Sequence, residues 1–309
     1  MLDYEAFKVV LVERVRMALG EGFDIRVRKV SKNNGVELDA MCICKNGCKT
    51  APAMYLECFY DLYSANGTLE ECVNEIMKMY GESGELPLDT SKMLSFGDMK
   101  DRVVYKLVNF AKNEGMLKEM PHRKVLDLAM IYYLDLENAE AGMYTASVTN
   151  NLSKVWGVTE EELYRLAVEN TKRLMPVSIE NMECVMERIM KENGLSDSDL
   201  DMLRETMGES EMPLYVLTNA SGVNGAVVMF YEGVLKNFAA MMESDLYIFP
   251  SSLHEVLLLK ADNDKEADEL QGLVSSVNEN ELMATDVLSE NVYRYSRKTD
   301  KLEVASYAL

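Results

Sequence analysis

Within the segment 23–30, residues 23–28 alternate strictly between apolar and polar side chains, and this period of two is the feature that most constrains the fold. Alternation places one face of a strand in the core and the other in solvent, so the segment predicts a half-exposed strand with a basic outer face. A turn containing Asn33-Asn34-Gly35 follows, and residues 36–45 have the composition of a partner strand. The pattern therefore predicts a β-hairpin.

Helical patterns flank this hairpin. Apolar residues recur at helical spacing over 3–19, and Thr68-Leu69-Glu70-Glu71 forms a capping box that opens a helix to about residue 80. The stretch 53–63 between them is predicted as a strand followed by a loop. Together these segments predict an N-terminal helix-hairpin-helix unit.

Helix signals dominate the middle of the chain. A second capping box, Thr159-Glu160-Glu161-Glu162, opens a helix to about Leu174. Further helices are predicted over 99–113, 146–155 and, with Ser178 as the cap, 178–193. The apolar run over 125–136 is compatible with either state by periodicity, and its Tyr and Ile content favours a strand.

The last third of the chain alternates short apolar runs with turns. Strands are predicted at 214–218, 226–231, 245–249, 256–259 and 290–296, and helices at 232–242 and 267–277. The expected fold class is α+β, with an N-terminal helix-hairpin-helix unit, a helical middle and a C-terminal, mainly antiparallel sheet flanked by helices. An acidic linker at 195–211 predicts a loose boundary between regions 1–195 and 212–309, and one continuous domain remains the alternative.

The charge of the chain is strongly negative and unevenly distributed. The formal net charge is −20; residues 1–50 carry nine basic and seven acidic side chains, and the remainder carries −22. Such an excess repels nucleic-acid backbones and anionic lipids, so we expect no direct nucleic-acid binding. No stretch reaches the roughly 18 consecutive apolar residues typical of a membrane span, and the first residues lack the pattern of a signal peptide. The expectation is a soluble, cytoplasmic protein that does not engage membranes.

The cysteines and histidines give no metal signature. Cys42, Cys44 and Cys48 follow the spacing C-x-C-x3-C, which matches no common zinc motif. The other cysteines are isolated, so all six are interpreted as reduced thiols rather than disulfides. We therefore predict no metal and no cofactor.

The best candidate for a chemical site lies around His254. Ser252, His254 and Glu255 supply a hydroxyl, a base and an acid, which can support nucleophilic catalysis if the base reaches the hydroxyl and the acid orients the base. On a strand, however, His254 and Glu255 would point to opposite faces, and a structural role for the histidine is the simpler interpretation. Asn219 and Ser251 are the weaker candidates for contacts with a ligand.

Four segments carry a resemblance to a known family. They are PHRKVLDLAMIYYL at 121–134, NLSKVWGVTEEELYRLAVENTKRLMP at 151–176, the stretch from PLYVLTNASG to LHEVLLL at 213–259, and VLSENVYRYSR at 287–297. Together they resemble an uncharacterised family of clostridial gut bacteria, known as a domain of unknown function. The LYVLTN and LHEV segments are similar to a second uncharacterised bacterial family as well. Neither resemblance implies an activity or a cofactor.

Three functions remain after these considerations. The first is a soluble cytosolic binding or accessory protein without catalytic activity, whose partner would be a protein. The second is an enzyme that uses the Ser252, His254 and Glu255 cluster. The third is an acidic inhibitor that mimics DNA against a DNA-binding partner, for which the carboxylates would have to form a continuous stripe.

Overall fold

The structure is a computed structural model that describes residues 1–45, 53–65, 67–83, 92–136, 145–196, 213–261 and 282–306, together with Leu270 and Gly272. Its described residues up to position 83 form one compact unit, and those from position 92 onward form a second. The α+β class expected from the sequence is confirmed, because helices occur together with three antiparallel sheets.

The first unit consists of three helices and a three-stranded sheet of order β1-β2-β3. The helices are α1 (Tyr4–Leu19), α2 (Leu56–Ser64) and α3 (Leu69–Ser83), and the strands are β1 (Phe23–Ser31), β2 (Glu37–Lys45) and β3 (Ala53–Tyr55). The predicted hairpin is confirmed, with β1 antiparallel to β2 in a register that pairs Phe23 with Lys45. Its core is apolar and includes Phe7, Leu11, Ile43 and Ile76.

One segment of the first unit differs from the prediction. The loop expected after β3 is wrong, since the chain enters α2 directly at Leu56. The reason is visible in the spacing of Leu56, Phe59, Tyr60 and Tyr63, which recur at three- and four-residue intervals and pack into the core of the unit. These residues therefore form an amphipathic helix, although their aromatic content resembles that of a strand.

The second unit contains six α-helices with described bounds and ten strands among its described residues. The helices are α4 (Phe96–Met99), α5 (Glu114–Leu117), α6 (Asn150–Trp156), α7 (Glu160–Leu174), α8 (Met182–Glu192) and α9 (Val234–Met242). The strands are β4 (Val103–Asn109), β5 (His122–Val125), β6 (Leu128–Asp135), β7 (Thr145–Ser147), β8 (Val177–Asn181), β9 (Tyr215–Asn219), β10 (Leu246–Phe249), β11 (Val256–Lys260), β12 (Val292–Ser296) and β13 (Lys301–Ser306).

A four-stranded antiparallel sheet lies in the middle of the chain, where β6 pairs with β4, β5 and β7. The strand predicted over 125–136 is confirmed as β6, whereas the helix predicted over 99–113 is wrong because its central residues form β4. The sequence of β4, VVYKLVN, is rich in β-branched residues and six of its seven positions are buried. A strand covered on both faces loses the period of two, so its pattern resembles that of a buried helix.

The six-stranded sheet has the order β13-β12-β10-β11-β9-β8, and all its neighbours are antiparallel. The strand predicted at 226–231 is wrong, since Gly225–Phe230 forms a 3-10 helix. A hairpin partner beside β9 is excluded because β8 and β11 already occupy both of its edges. The helix predicted from Ser178 begins only after β8, where Asn181 caps it by accepting the Glu183 N–H at 2.8 Å.

Asp127 joins the two sheets of the second unit. Its carboxylate accepts hydrogen bonds from the hydroxyl of Ser289 at 2.6 Å, from the side chain of Asn291 at 2.9 Å, and from the hydroxyl of Tyr293. Asp127 lies in the turn between β5 and β6, and its three donors lie in or just before β12. The carboxyl group and its three donors therefore fix the position of one sheet against the other.

Two predictions concern segments outside the described residues. The predicted flanking helix at 232–242 is confirmed as α9, but almost all of the one at 267–277 lies outside. Most of the linker at 195–211 also lies outside, and the domain boundary placed there stays a prediction.

Candidate functional site

Four of the five predicted site residues, Ser251, Ser252, His254 and Glu255, lie in the connection between β10 and β11, and the fifth, Asn219, ends β9. This connection runs antiparallel to residues 286–289: Leu253 N–H donates to Asp286 O at 2.9 Å, and Leu288 N–H donates to Ser251 O at 2.7 Å. Ser252 forms an isolated bridge with Val287 in the same arrangement. The pairing brings Asp286 beside His254, although the two residues are far apart in the sequence.

The imidazole of His254 contacts groups on both sides. Its Nδ1 accepts the backbone N–H of Asn224 at 3.4 Å, and its Nε2 lies 3.8 Å from Asp286 Oδ2. Acceptance at Nδ1 requires that nitrogen to be unprotonated, so in the neutral ring the proton resides on Nε2, toward the carboxylate. The side chain is 34% exposed. Nδ1 is therefore bonded to the backbone, whereas Nε2 faces Asp286 at a distance longer than a hydrogen bond.

Ser252 and Glu255 do not complete a catalytic arrangement with the ring. Ser252 is only 2% exposed, and its hydroxyl accepts the backbone N–H of His254 at 3.0 Å. Among the described contacts, no hydrogen bond joins the Ser252 hydroxyl to the imidazole or Glu255 to either residue. The acid that faces the ring is Asp286. The sequence did not identify it, because local spacing carries no information about pairing between segments that are far apart in the chain.

Asn219 is buried and hydrogen-bonded within its own turn. Its amide donates to Val223 O at 2.8 Å, and its carbonyl accepts from the backbone and the hydroxyl of Ser221 at 3.1 and 2.9 Å. The side chain therefore supports the turn that carries Asn224 toward His254. Ser251 is half-buried, and its backbone oxygen takes part in the pairing with Leu288.

Gly225 is required where this turn meets the connection. A Cβ at this position would lie 2.1 Å from Thr218 Oγ1, 2.3 Å from His254 O and 2.8 Å from Asn219 N. The hydroxyl of Thr218 in turn donates to His254 O at 2.7 Å. The backbone of His254 is therefore fixed by close packing against the end of β9.

A buried tyrosine lies behind the cluster. Burial raises the pKa of Tyr133, the charge of Asp135 raises it further, and a hydrogen bond with the Asn224 side chain lowers it in part. Its hydroxyl also contacts Met175 Sδ at 3.8 Å. The phenol remains neutral at physiological pH, so this group supplies a polar contact rather than a charge.

A second candidate site is an open groove between β8 and α9, of about 440 Å³. Six apolar or aromatic side chains and two asparagines line it: Val177, Ile179, Asn181, Tyr215, Val234, Asn237, Phe238 and Met241. The aromatic rings of Tyr215 and Phe238 pack edge to face at 5.1 Å and form its floor. Sequence reasoning missed this site because it treated 178–193 as one helix.

The described cysteines carry no sign of a metal centre. Cys42 and Cys44 are free thiols on the same face of β2, as the parity of their positions predicts, and Cys48 lies outside the described residues. Within the described ranges, no three His, Cys, Asp or Glu side chains converge on a possible metal position. Across the same ranges, no helix is both long and apolar enough to cross a membrane.

Comparison with known proteins places the chain by family. A family model described as "Family of unknown function (DUF5688)" matches residues 4–297. The chain belongs to this family. No curated protein and no solved structure matches the chain. The family membership therefore agrees with the resemblance noted in the sequence and adds no activity to it.

Proposed function

We propose that the protein is a non-catalytic binding or accessory protein that holds a segment of a partner protein in the groove between β8 and α9. The observation that carries this proposal is the groove itself, which is concave, mostly apolar and open to solvent. Binding sites commonly combine an apolar lining with a few polar groups that fix orientation, and the two asparagines supply such groups.

The exposure of the lining supports the proposal. Val177 is 45% exposed and Met241 is 66% exposed, so their apolar surfaces are not used by the core of the second unit. Single exposed apolar residues are ordinary on protein surfaces, but a group of them in one concavity is typical of an interaction site. Removing this surface from water would contribute favourable free energy to a complex.

The test is a comparison of three versions of the full chain. The wild-type protein, a Val177→Lys/Met241→Lys variant and a Val155→Lys control are immobilised, and a lysate of the bacterium that encodes the chain is passed over each. Val155 lies on α6 and is 62% exposed, so its substitution adds a positive charge away from the groove. We expect a protein retained by the wild type and the control but not by the groove variant. Equal retention by all three would contradict the proposal.

A catalytic function is the second candidate, and the half-exposed pair of His254 and Asp286 is the observation that favours it. The arrangement of Ser252 argues against a serine hydrolase, since its hydroxyl is buried and bonded to backbone. A fluorophosphonate probe, which labels activated serines, separates the two functions. Labelling of Ser252 that disappears in a His254→Ala variant would favour the enzyme.

Mimicry of DNA receives no support from the one acidic run that the structure describes. Glu160 and Glu161 each bind Arg123, and Glu162 accepts the N–H of Thr159 in the capping box. These carboxylates serve local structure, as helix starts commonly require. A competition assay against duplex DNA at low salt tests the point, and we expect no inhibition of a DNA-binding enzyme. A cytoplasmic location and an origin in clostridial gut bacteria remain parts of the proposal.

A further inference from the structure

The backbone of β8 points half of its polar groups away from the sheet. Ala220 N–H donates to Pro176 O, and Met182 N–H donates to Leu214 O, so positions 176 and 182 face β9. Orientation alternates along an antiparallel strand, which directs the N–H and C=O groups of Val177 and Ile179 toward the open edge, together with the N–H of Asn181. The C=O of Asn181 accepts the first hydrogen bond of α8, which this residue caps. The same three residues line the groove.

This edge lacks most of the features that commonly protect a free strand. Among the described residues β8 pairs with β9 alone, and its sequence, VSIEN, contains no proline or lysine. Its one charged residue, Glu180, is paired with Arg188 and alternates with the residues that line the groove. Its register with β9 runs without a bulge. Protected edges usually carry a charge, a proline or a bulge that prevents a further strand from pairing. An edge with no proline and no bulge, whose one charge is already paired, is open to strand addition.

The charges on the surrounding elements favour a basic occupant. Arg188 is paired with Glu180 at 2.6 Å, and Lys236 is paired with Asp300 at 2.7 Å. By contrast, four exposed carboxylates on or beside α8 and α9 have no ion pair among the described contacts: Glu183, Glu192, Glu232 and Glu243. The net charge of −20 acts in the same direction over longer distances.

We infer that the occupant of the groove is an extended, basic segment of a partner protein that pairs with the outer edge of β8 and places alternate apolar side chains in the groove. This inference rests on the proposed function and adds the mode of binding and the class of partner. Backbone pairing supplies affinity in such complexes, and the alternate side chains supply specificity. A second copy of the chain is disfavoured because two chains of charge −20 repel each other.

The test uses a fluorescein-labelled peptide of alternating lysine and valine and measures its binding by fluorescence anisotropy. The first comparison peptide has the same side chains with every backbone nitrogen methylated, which removes all donors. The second replaces each lysine by glutamate. The proteins are the wild type, Val177→Lys/Met241→Lys and the control Val155→Lys, each confirmed to fold by circular dichroism.

We expect the lysine-valine peptide to bind the wild type and the control alike. The groove variant, the methylated peptide and the glutamate peptide should each weaken binding by about tenfold or more, since each loses apolar contacts, several hydrogen bonds or favourable charge. Undiminished binding of the methylated peptide would overturn strand addition, and undiminished binding of the glutamate peptide would overturn the basic occupant. If the native partner is still retained in a groove-dependent manner, the proposed function survives either result.

Sedimentation of the wild type provides the remaining check. A dimer that the groove variant loses and the Val155→Lys control keeps would identify a second copy as the occupant and overturn the inference.

Discussion

Replacing Gly225 by alanine should destabilise the second unit strongly, because the new methyl group meets atoms that are unable to move independently. Its Cβ would lie 2.3 Å from the carbonyl oxygen of His254 and 2.1 Å from the hydroxyl of Thr218. The first is backbone in the connection after β10, and the second is a residue of β9. Relief of the contact requires these two segments to separate.

The cost is the sum of two terms. Overpacking of a well-packed site typically costs about 1–3 kcal/mol, and the backbone contact places this substitution toward the upper end. Separation of the segments also breaks the hydrogen bond from Thr218 to His254 O, which contributes about 1 kcal/mol. A loss of about 3 kcal/mol follows, against a total stability of about 5–15 kcal/mol for a typical domain.

The assay is urea unfolding followed by tryptophan fluorescence. Trp156 is the single tryptophan of the chain, and its buried ring lies in α6, so the signal reports on the second unit. With a slope of about 2–3 kcal/mol per molar urea, the midpoint should fall by about 1 M or slightly more. The slope itself should not change.

Gly115→Ala is the matched control for this experiment. Gly115 lies in α5, its φ is not positive, and no atom beyond its own helix lies within 4 Å of the position that a Cβ would take. Alanine there should be neutral or stabilise by up to about 1 kcal/mol, since glycine is a poor helix former. An unchanged midpoint for Gly225→Ala, or equal losses for the two variants, would refute the packing argument.

Three further predictions concern other parts of the chain. Thr159→Ala removes the cap of α7 and should lower the stability of the second unit by about 1 kcal/mol, measured by the same fluorescence. The hydrogen bond from Lys8 lowers the pKa of Asp39 in the folded protein. The pair therefore stabilises the first unit fully at pH values above about 3.9, the pKa of an unfolded aspartate. This stabilisation is lost as the pH falls through the lower pKa that Asp39 has in the folded state. Lys8→Met should therefore weaken the decrease of stability at acidic pH, measured by circular dichroism. An unchanged decrease would contradict the role given to this ion pair. Cys58 and Cys184 are exposed and should react with a thiol reagent in the native protein, and a doubly substituted Ser variant should lose two equivalents of that reaction.

The sequence predicted best those elements that local patterns specify. The hairpin of the first unit follows from strict alternation, and α7 begins at the capping box that its sequence contains. β4 was missed because its two faces are both covered, which removes the period of two. The 3-10 helix at Gly225–Phe230 was missed because the edges of β9 were already occupied, a property of the sheet rather than of the segment.

The candidate site around His254 shows the same limit. The sequence identified the histidine and Ser252, but Asp286 and Asn224 reach the ring only through loops that pack together in the fold. Spacing along the chain indicates which residue types are available and does not specify which of them meet. The orientation of a ring nitrogen is therefore a consequence of tertiary structure, and the proton position on His254 could be argued only after its two neighbours were known.

The two candidate sites differ in how their polar groups are used, and this difference favours the groove as the place of binding. Around His254, the side chain of Asn219, the hydroxyl of Ser252 and both ring nitrogens contact groups of the same chain. A ligand that displaced these contacts would have to replace them at a cost of about 1–3 kcal/mol for each group left unsatisfied. At the outer edge of β8 the backbone groups of residues 177 and 179 are directed away from β9, where water can satisfy them. Exchange of that water for a partner strand leaves no polar group of the fold unpaired, and it removes the neighbouring apolar surface of the groove from water at the same time.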